Sequence, residues 1–428
     1  MIFSYFILSE CQYAYVIKLK SMRKAFTGFL LVMLTCQLHA GGYQVSLHGQ
    51  KQIGMGLIGT SLAMDGSSSF YNPGALAMMP DNYSILAGMS AISSYNLFHM
   101  QGTLYEAKTE NPIGTPFYFY GAGRITDNLV AGIAVNTPYG NKLAWEDGWA
   151  GRYLIEEISL QAITIQPTLS YMMNDMISFG AGFIYTTGSV DLTRALPVEG
   201  QYGEGSLNIK GSASNWGFNA GILIKPVPDL NIGISYRSKI EMELEDADAI
   251  FDVPLSLQTQ FPADNKVAVA LPLPANLDFG VSYNVSEALM VGLALNYVFW
   301  ETYDKLVFDF ETNTLSLQDS ENPREYSNKL IIRAGGQYKA SERLFIRMGA
   351  YYDPSPVNEL YFTPETPSVN NIGITAGLSY AVLPGMTVDV SFLYVHGMEM
   401  EAEYSPENFA GKYKSRAFIP GIGISYNF

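Results

Sequence analysis

From Asn82 to the C-terminus, apolar and polar positions alternate with a period of two, the pattern of strands whose successive side chains point to opposite faces. Leu230, Ile232, Ile234 and Tyr236 share one face and Asn231, Gly233, Ser235 and Arg237 the other; Leu277, Phe279, Val281 and Tyr283 oppose Asn276, Asp278, Gly280 and Ser282. Fourteen such segments are predicted, at 83–91, 115–123, 128–136, 158–171, 176–187, 214–225, 229–240, 275–284, 288–300, 329–338, 343–352, 371–380, 385–396 and 414–428. Short connections such as Asn174-Asp175, Pro226-Val227-Pro228 and Leu383-Pro384-Gly385 alternate with long ones. The polar faces are built of Gly, Ser, Thr and Asn, too small and uncharged for the water-facing side of a soluble sandwich, so the apolar faces point to lipid and the polar faces to a lumen. The predicted fold is all-β, a 14-stranded antiparallel transmembrane β-barrel over residues 82–428. Its even count leaves both ends in the periplasm, and closure leaves no unpaired edge in hydrocarbon. On the final segment Phe418, Ile422, Ile424, Tyr426 and the terminal Phe428 share one face.

Composition agrees with a membrane strand protein. Hydrophobic residues make up 48% of the 428-residue chain and charged residues only 15%, with 40 Gly and 29 Tyr. No uninterrupted apolar run of the roughly 20 residues a spanning helix needs occurs after the leader. The leader is residues 1–40: a basic pair, Arg23-Lys24, an apolar stretch from Ala25 and a small residue at Ala40 give a secretory signal peptide to be cleaved, preceded by an over-long start at 1–21. Both cysteines, Cys11 and Cys36, fall inside it, so the mature chain has no thiol for a disulfide, a metal site or a nucleophile. A lipoprotein cut at Cys36 is poorly served by Met33-Leu34-Thr35. The formal net charge of −15 becomes more negative without the leader, which excludes nucleic acid as a partner. Acids cluster at Glu241, Glu243, Glu245, Asp246 and Asp248 and at Glu399, Glu401 and Glu403, read as loops reaching solvent or as acids bridged by divalent ions to anionic lipid heads.

Residues 41–81 lack alternation and are rich in Gly and small side chains, yet carry Tyr43, Phe70, Tyr71, Met78 and Met79. A tail left in the periplasm would gain little from these, so the segment is expected to fold back into the lumen as an N-terminal hatch, or plug.

Several stretches in sequence order carry a family resemblance: Gly41-Gly42-Tyr43-Gln44, Tyr71-Asn72-Pro73-Gly74-Ala75-Leu76, Asn136-Thr137-Pro138-Tyr139-Gly140 with Trp145, Tyr236-Arg237-Ser238, Leu273-Pro274-Ala275 and Tyr352-Asp353-Pro354-Ser355-Pro356-Val357. With these the chain resembles the FadL/TodX-type outer-membrane transporters of long-chain fatty acids and other hydrophobic compounds. It departs from the usual pattern at Gly74, which intervenes before Ala75. The resemblance implies a 14-strand barrel occluded by a hatch, with cargo captured at outer loops, bound in an inner pocket and released sideways through a gap in the wall. Such a route spares the cargo about 0.8 kcal/mol per methylene that entry into water would cost. Independently of this, the terminal aromatic Phe428 on the final strand resembles the signal read by the bacterial barrel-assembly machinery; contact with membrane lipid and lipopolysaccharide and no cofactor are expected. A monomer is expected.

Tyr43 occupies the place of the family's pocket aromatic, or simply packs the plug. Asn72, Pro73 and Gly74 form the hatch motif and read as a turn. Arg333 and Arg347 lie on polar faces of adjacent strands and would oppose each other if their turn centres near Ala340. Two opposed cations need an anion between them, either Asp278, Asp389, Asp65 or a cargo carboxylate. Arg237 is lumen-facing and carries the same alternatives. Tyr139, Leu143, Trp145 and Trp149 are placed in a long outer loop, as an apolar landing surface or as interfacial anchors. After the leader, His48, His99 and His396 have no metal-type companions, and no nucleophile–base constellation suggests an enzyme. The competing readings are a porin for small polar solutes and a structural or adhesive barrel.

Overall fold

The computed structural model describes residues 42–200 and 203–428; the leader and its cysteines lie outside them. Fourteen strands form the wall: β1 Tyr83–Ser90, β2 Phe117–Thr126, β3 Leu129–Ala144, β4 Glu157–Asn174, β5 Ile177–Gly200, β6 Gly203–Val227, β7 Leu230–Arg237, β8 Asn276–Asn284, β9 Leu289–Val298, β10 Lys329–Lys339, β11 Leu344–Asp353, β12 Asn371–Leu383, β13 Met386–Gly397 and β14 Phe409–Asn427. Each pairs antiparallel with the next. The ring closes between β14 and β1, where Ser84 faces Asn427 and Ser90 faces Gly421. At this seam Tyr83 and Phe428 exchange backbone hydrogen bonds of 2.8 and 3.0 Å and their rings stack at 5.2 Å.

Every predicted segment coincides with one of these strands, and exposure fixes which face is outside. Leu277, Phe279 and Tyr283 are exposed while Asn276 and Ser282 on the opposite face are buried; Ile374, Leu378 and Tyr380 are exposed while Thr375 and Ser379 are buried. An apolar exterior around a polar interior is the reverse of a water-soluble core and matches a wall solvated by lipid.

Two features differ from the expected layout. A membrane strand needs about 9–11 residues; β5 and β6 have 24 and 25, so more than half of that hairpin projects beyond the hydrocarbon. The long connections also hold strands, at Ser93–Met100, Glu106–Lys108, Ile240–Asp252, Asp264–Leu273, Lys305–Phe310, Ser320–Pro323 and Met400–Tyr404. The acidic run expected in loops lies on Ile240–Asp252. Met242, Leu244, Ala247 and Ala249 are buried on one face, with Glu243, Glu245 and Asp248 exposed on the other, a bulge after Leu244 restoring the phase. Likewise Glu401 and Glu403 lie on Met400–Tyr404.

The segment from Gly42 to Asp81 carries three short helices, α1 Gln50–Gly54, α2 Ser68–Tyr71 and α3 Pro73–Leu76. It bonds inward-facing groups of strands from around the ring: Ser84 on β1, Tyr120 on β2, Ser170 on β4, Ser282 on β8, Thr375 on β12 and Ser425 on β14, all between 2.9 and 3.2 Å. Asn72 organises its second half. Its Oδ1 accepts from Gly74 N at 3.0 Å to cap α3, with Pro73 at the first helical position where no N–H is required, and its Nδ2 donates to Thr60 O at 2.7 Å and to Ile222 O of β6 at 3.0 Å. The approach is close enough to need glycine in the wall: a Cβ on Gly349 would collide with the backbone of Met55 and Gly56, and Gly56 itself has φ +71°.

Candidate ligand-binding chambers and wall gap

An apolar cavity of about 90 Å³ lies among the outer parts of β3 to β6 and the strands of the outer connections, lined by Ile158, Leu160, Val190, Met242, Leu271 and Leu306. Tyr43 closes one side. It is buried, its ring meets Trp300 edge-on at 5.1 Å, and its hydroxyl donates to Pro272 O. The one charged residue in the lining, Glu365, is held by Arg324 at 2.5 Å, so no free charge faces the cavity.

At Asn141 and Thr366 this cavity meets a polar chamber of about 260 Å³, whose lining includes Gln44, Ser46, Asn96, Arg333 and Asp353. Arg333 also lines a recess of about 40 Å³ with His48, Arg237 and Asp278. The structure corrects the expected arginine pairing: Arg333 faces Tyr351 and Arg347 faces Gln337, because the β10–β11 turn centres two residues later than Ala340. Arg347 donates from Nε to Gln337 at 2.8 Å and from Nη1 to Ser379 Oγ, which in turn donates to Asp389. Arg237 lies 4.2 Å over the Phe70 ring and donates to Phe70 O and Gln166 Oε1 at 3.1 and 3.0 Å. Arg333 donates to Leu57 O at 3.2 Å and to Ser46 Oγ at 3.4 Å. It is only 7% exposed, has no ion pair among the described residues, and its buried Nε has no partner. A buried guanidinium in that condition is costly unless an anion joins it.

Three further polar groups, His48, Lys51 and Asp65, belong to segment 42–81. Burial, reinforced by the Arg237 guanidinium, pushes His48 down to about 3, so its imidazole is neutral where it packs 3.9 Å from the Phe70 ring. Lys51 and Asp65 pair at 2.8 Å; burial alone would raise the Asp65 carboxyl, but Lys51 and Ser67 outweigh it and hold it below its ordinary value.

Of the four residues expected on an outer landing loop, two, Trp145 and Trp149, lie in the connection between β3 and β4. Tyr139 and Leu143 are on β3, Trp145 bridges to Thr109, and Trp149 stacks on Trp145 at 4.2 Å; all four are buried at 5% exposure or less. They form an interior core beneath the outer strands. An exposed landing surface is not what they make.

The wall is incomplete at one place. The β2–β3 ladder runs from Thr126 opposite Leu129 to Tyr118 opposite Asn136, and the chain rejoins β3 only at Thr109 opposite Trp145. Between these points a bulge displaces β3, and Pro138 O and Gly140 N bond Val45 N and Tyr43 O at 2.8 and 3.1 Å. The backbone groups that a neighbouring strand would satisfy are thus satisfied from inside by the chain's own first described residues. A groove of about 280 Å³ opens here between Pro112, Gly114 and Pro116 on one side and Thr137, Gly140 and Lys142 on the other. It shares Val45, Ile92, Asn141 and Lys142 with the polar chamber.

Residues 31–428 match the family described as outer membrane protein transport protein (OMPP1/FadL/TodX). The chain belongs to this family. It is accordingly an outer-membrane transport barrel and not an enzyme. Among similar proteins is the long-chain fatty acid transport protein of Salmonella typhi, 22% identical over 95% of this chain and 98% of that one. A putative outer membrane protein of Neisseria meningitidis is 24% identical over 91% and 95%. Among solved structures, a Pseudomonas aeruginosa FadL homologue superposes with a TM-score of 0.81 at 18% identity, covering 91% of this chain and all of that one. The Pseudomonas putida toluene transporter TodX gives 0.68 at 16%, covering 92% and 99%. At these identities the structural likeness establishes the fold.

Proposed function

We propose that this family member imports hydrophobic compounds, long-chain fatty acids foremost, by binding them inside the barrel and releasing them sideways into the membrane without energy input. The observation that carries the reading is the junction of an uncharged apolar cavity with a polar chamber holding the unpaired, buried Arg333. An amphiphilic anion fits that pairing, its chain in the first and its carboxylate in the second. Residues 42–81 act as the hatch: their bonds to opposite sides of the ring support a seat in the bore that denies passage to polar solutes.

Release runs through the groove between β2 and β3. Because Tyr43 and Val45 complete the β3 backbone there while the Tyr43 ring borders the apolar cavity, cargo that displaces Tyr43 also frees the gap. Binding and opening are then one event. The hydrophobic cargo passes from cavity to lipid without crossing water.

The test is to purify the protein in a mild detergent, identify by mass spectrometry the lipophile that accompanies it, and compare uptake of that compound by cells with and without the gene. A co-purifying fatty acid whose uptake falls on deletion is the expected result. A protein free of lipophile, in cells whose uptake is unchanged, would overturn the reading.

A further inference from the structure

Lys142 stands apart from the other cations of the site. It lies on β3 opposite Ser159 of β4, in the row that also contains Gly140 opposite Gln161. Its neighbours Asn141 and Leu143 turn inward, to the chambers and the interior core, whereas Lys142 is exposed. Among the described residues it has neither a hydrogen-bond partner for its ammonium nor an ion pair. It is also the one cation that lines both the polar chamber and the groove through the wall, and no acid lines that groove.

Its height on the barrel is informative. Along the outward face of β4, Tyr171, Leu169 and Ile165 are exposed apolar residues, followed toward the outside by Gln161 and then Ser159. Lys142 therefore sits where the lipid-facing surface turns from apolar to polar, at the level of lipid head groups. A fatty acid that leaves sideways must take its carboxylate away from Arg333 and past Val45, Ile92, Pro112 and Pro116, none of which offers a charge. An ionised carboxylate is costly to move through such a passage without a counter-charge at its far end.

We propose that Lys142 is a carboxylate-receiving site at the outer lip of the wall gap, taking the head group of a departing fatty acid while its chain enters the hydrocarbon. This rests on the lateral-release reading above. The ligand class is a long-chain carboxylate, and neutral lipophiles pass the same gap without using the lysine. Lys142 is thus a selectivity residue for release, separate from the affinity set inside the barrel.

The experiment measures uptake of palmitate and of hexadecane by cells carrying wild type, Lys142→Gln, Lys142→Arg or Gly114→Phe in place of the native gene. Each variant's folding is checked by heat-modified migration in detergent gels. Lys142→Gln lowers palmitate uptake about three- to fivefold, the worth of an exposed ion pair, spares hexadecane and leaves palmitate affinity of the purified protein unchanged; Lys142→Arg restores uptake. Equal loss of both cargoes, or loss of neither, overturns the proposal. So does a Lys142→Gln protein that sheds bound lipopolysaccharide while importing both cargoes normally, because the lysine would then serve an envelope lipid. Gly114→Phe reports on lateral release itself: Gly114 lines the groove, and the nearest neighbour of a Cβ there is Ile92 of the same lining, at 3.4 Å, so the added ring crowds the groove and both cargoes slow. If folded Gly114→Phe leaves both unaffected, the route is wrong and the lysine proposal falls with it; if both slow while Lys142→Gln is silent, only the lysine proposal fails.

Discussion

Arg333→Met weakens palmitate binding to the detergent-purified protein by about tenfold to a hundredfold and changes hexadecane binding by less than about twofold. The range is that of losing one hydrogen-bonded charge contact, about 1.5–3 kcal/mol. Met fills much of the volume of the arginine stem, so the chamber keeps its shape while the guanidinium and its unpartnered Nε disappear. Among the described residues no acid forms an ion pair with Arg333, and because Asp353 and Asp278 line its chamber and its recess, folding of the variant is checked by heat-modified migration in detergent gels before binding is compared. Arg347→Met serves as the contrast. That guanidinium is bonded to Gln337 and, through Ser379, to Asp389, so its loss destabilises the wall and weakens both ligands together. Equal weakening of palmitate and hexadecane by Arg333→Met would assign Arg333 to structure as well.

Asp65→Ala opens the barrel to small polar solutes. The substitution leaves Lys51 buried without its 2.8 Å partner, a condition that costs about 3–5 kcal/mol. Lys51 also donates to Ser425 on β14 at 3.2 Å, and Asp65 holds Ser67 just before α2, so both halves of segment 42–81 loosen at once. Lipid vesicles containing Asp65→Ala are expected to swell in arabinose at several times the wild-type rate. A Lys51→Met/Asp65→Leu double variant, which replaces the pair by apolar groups, recovers much of the tightness. If Asp65→Ala vesicles stay as impermeable as wild type, segment 42–81 is not what seals the bore.

The strand pattern made the fold legible because lipid and lumen impose opposite demands on alternate residues over the whole hydrocarbon thickness. Outside the hydrocarbon that demand lapses. Met242 and Leu244 alternate with Glu241, Glu243 and Glu245 as clearly as any wall strand, yet the charges there read as a solvated loop, since the outer strands bury one face against each other and expose the other to water.

The arginine register was not legible for a different reason. The turn after β10 is Ala340-Ser341-Glu342-Arg343, closed by Ala340 N to Leu344 O at 2.9 Å, and its composition does not specify which residue is central. A shift of two in the turn's centre moves the facing pair by four and separates the two cations. The predicted third segment stops at 136, two residues before Pro138. In the structure β3 continues through it. The missing N–H falls where the neighbouring strand is absent, and the same interruption buries Tyr139 and Leu143 against the interior.

Transfer through the unmodified protein in lipid vesicles, with arabinose influx and delivery of palmitate to the membrane measured side by side, separates a hatched lipophile conduit from an open pore. Rapid palmitate transfer is expected, with arabinose influx no faster than in protein-free vesicles. Rapid arabinose influx with no gain in palmitate transfer would contradict it and would leave an open pore for polar solutes in its place.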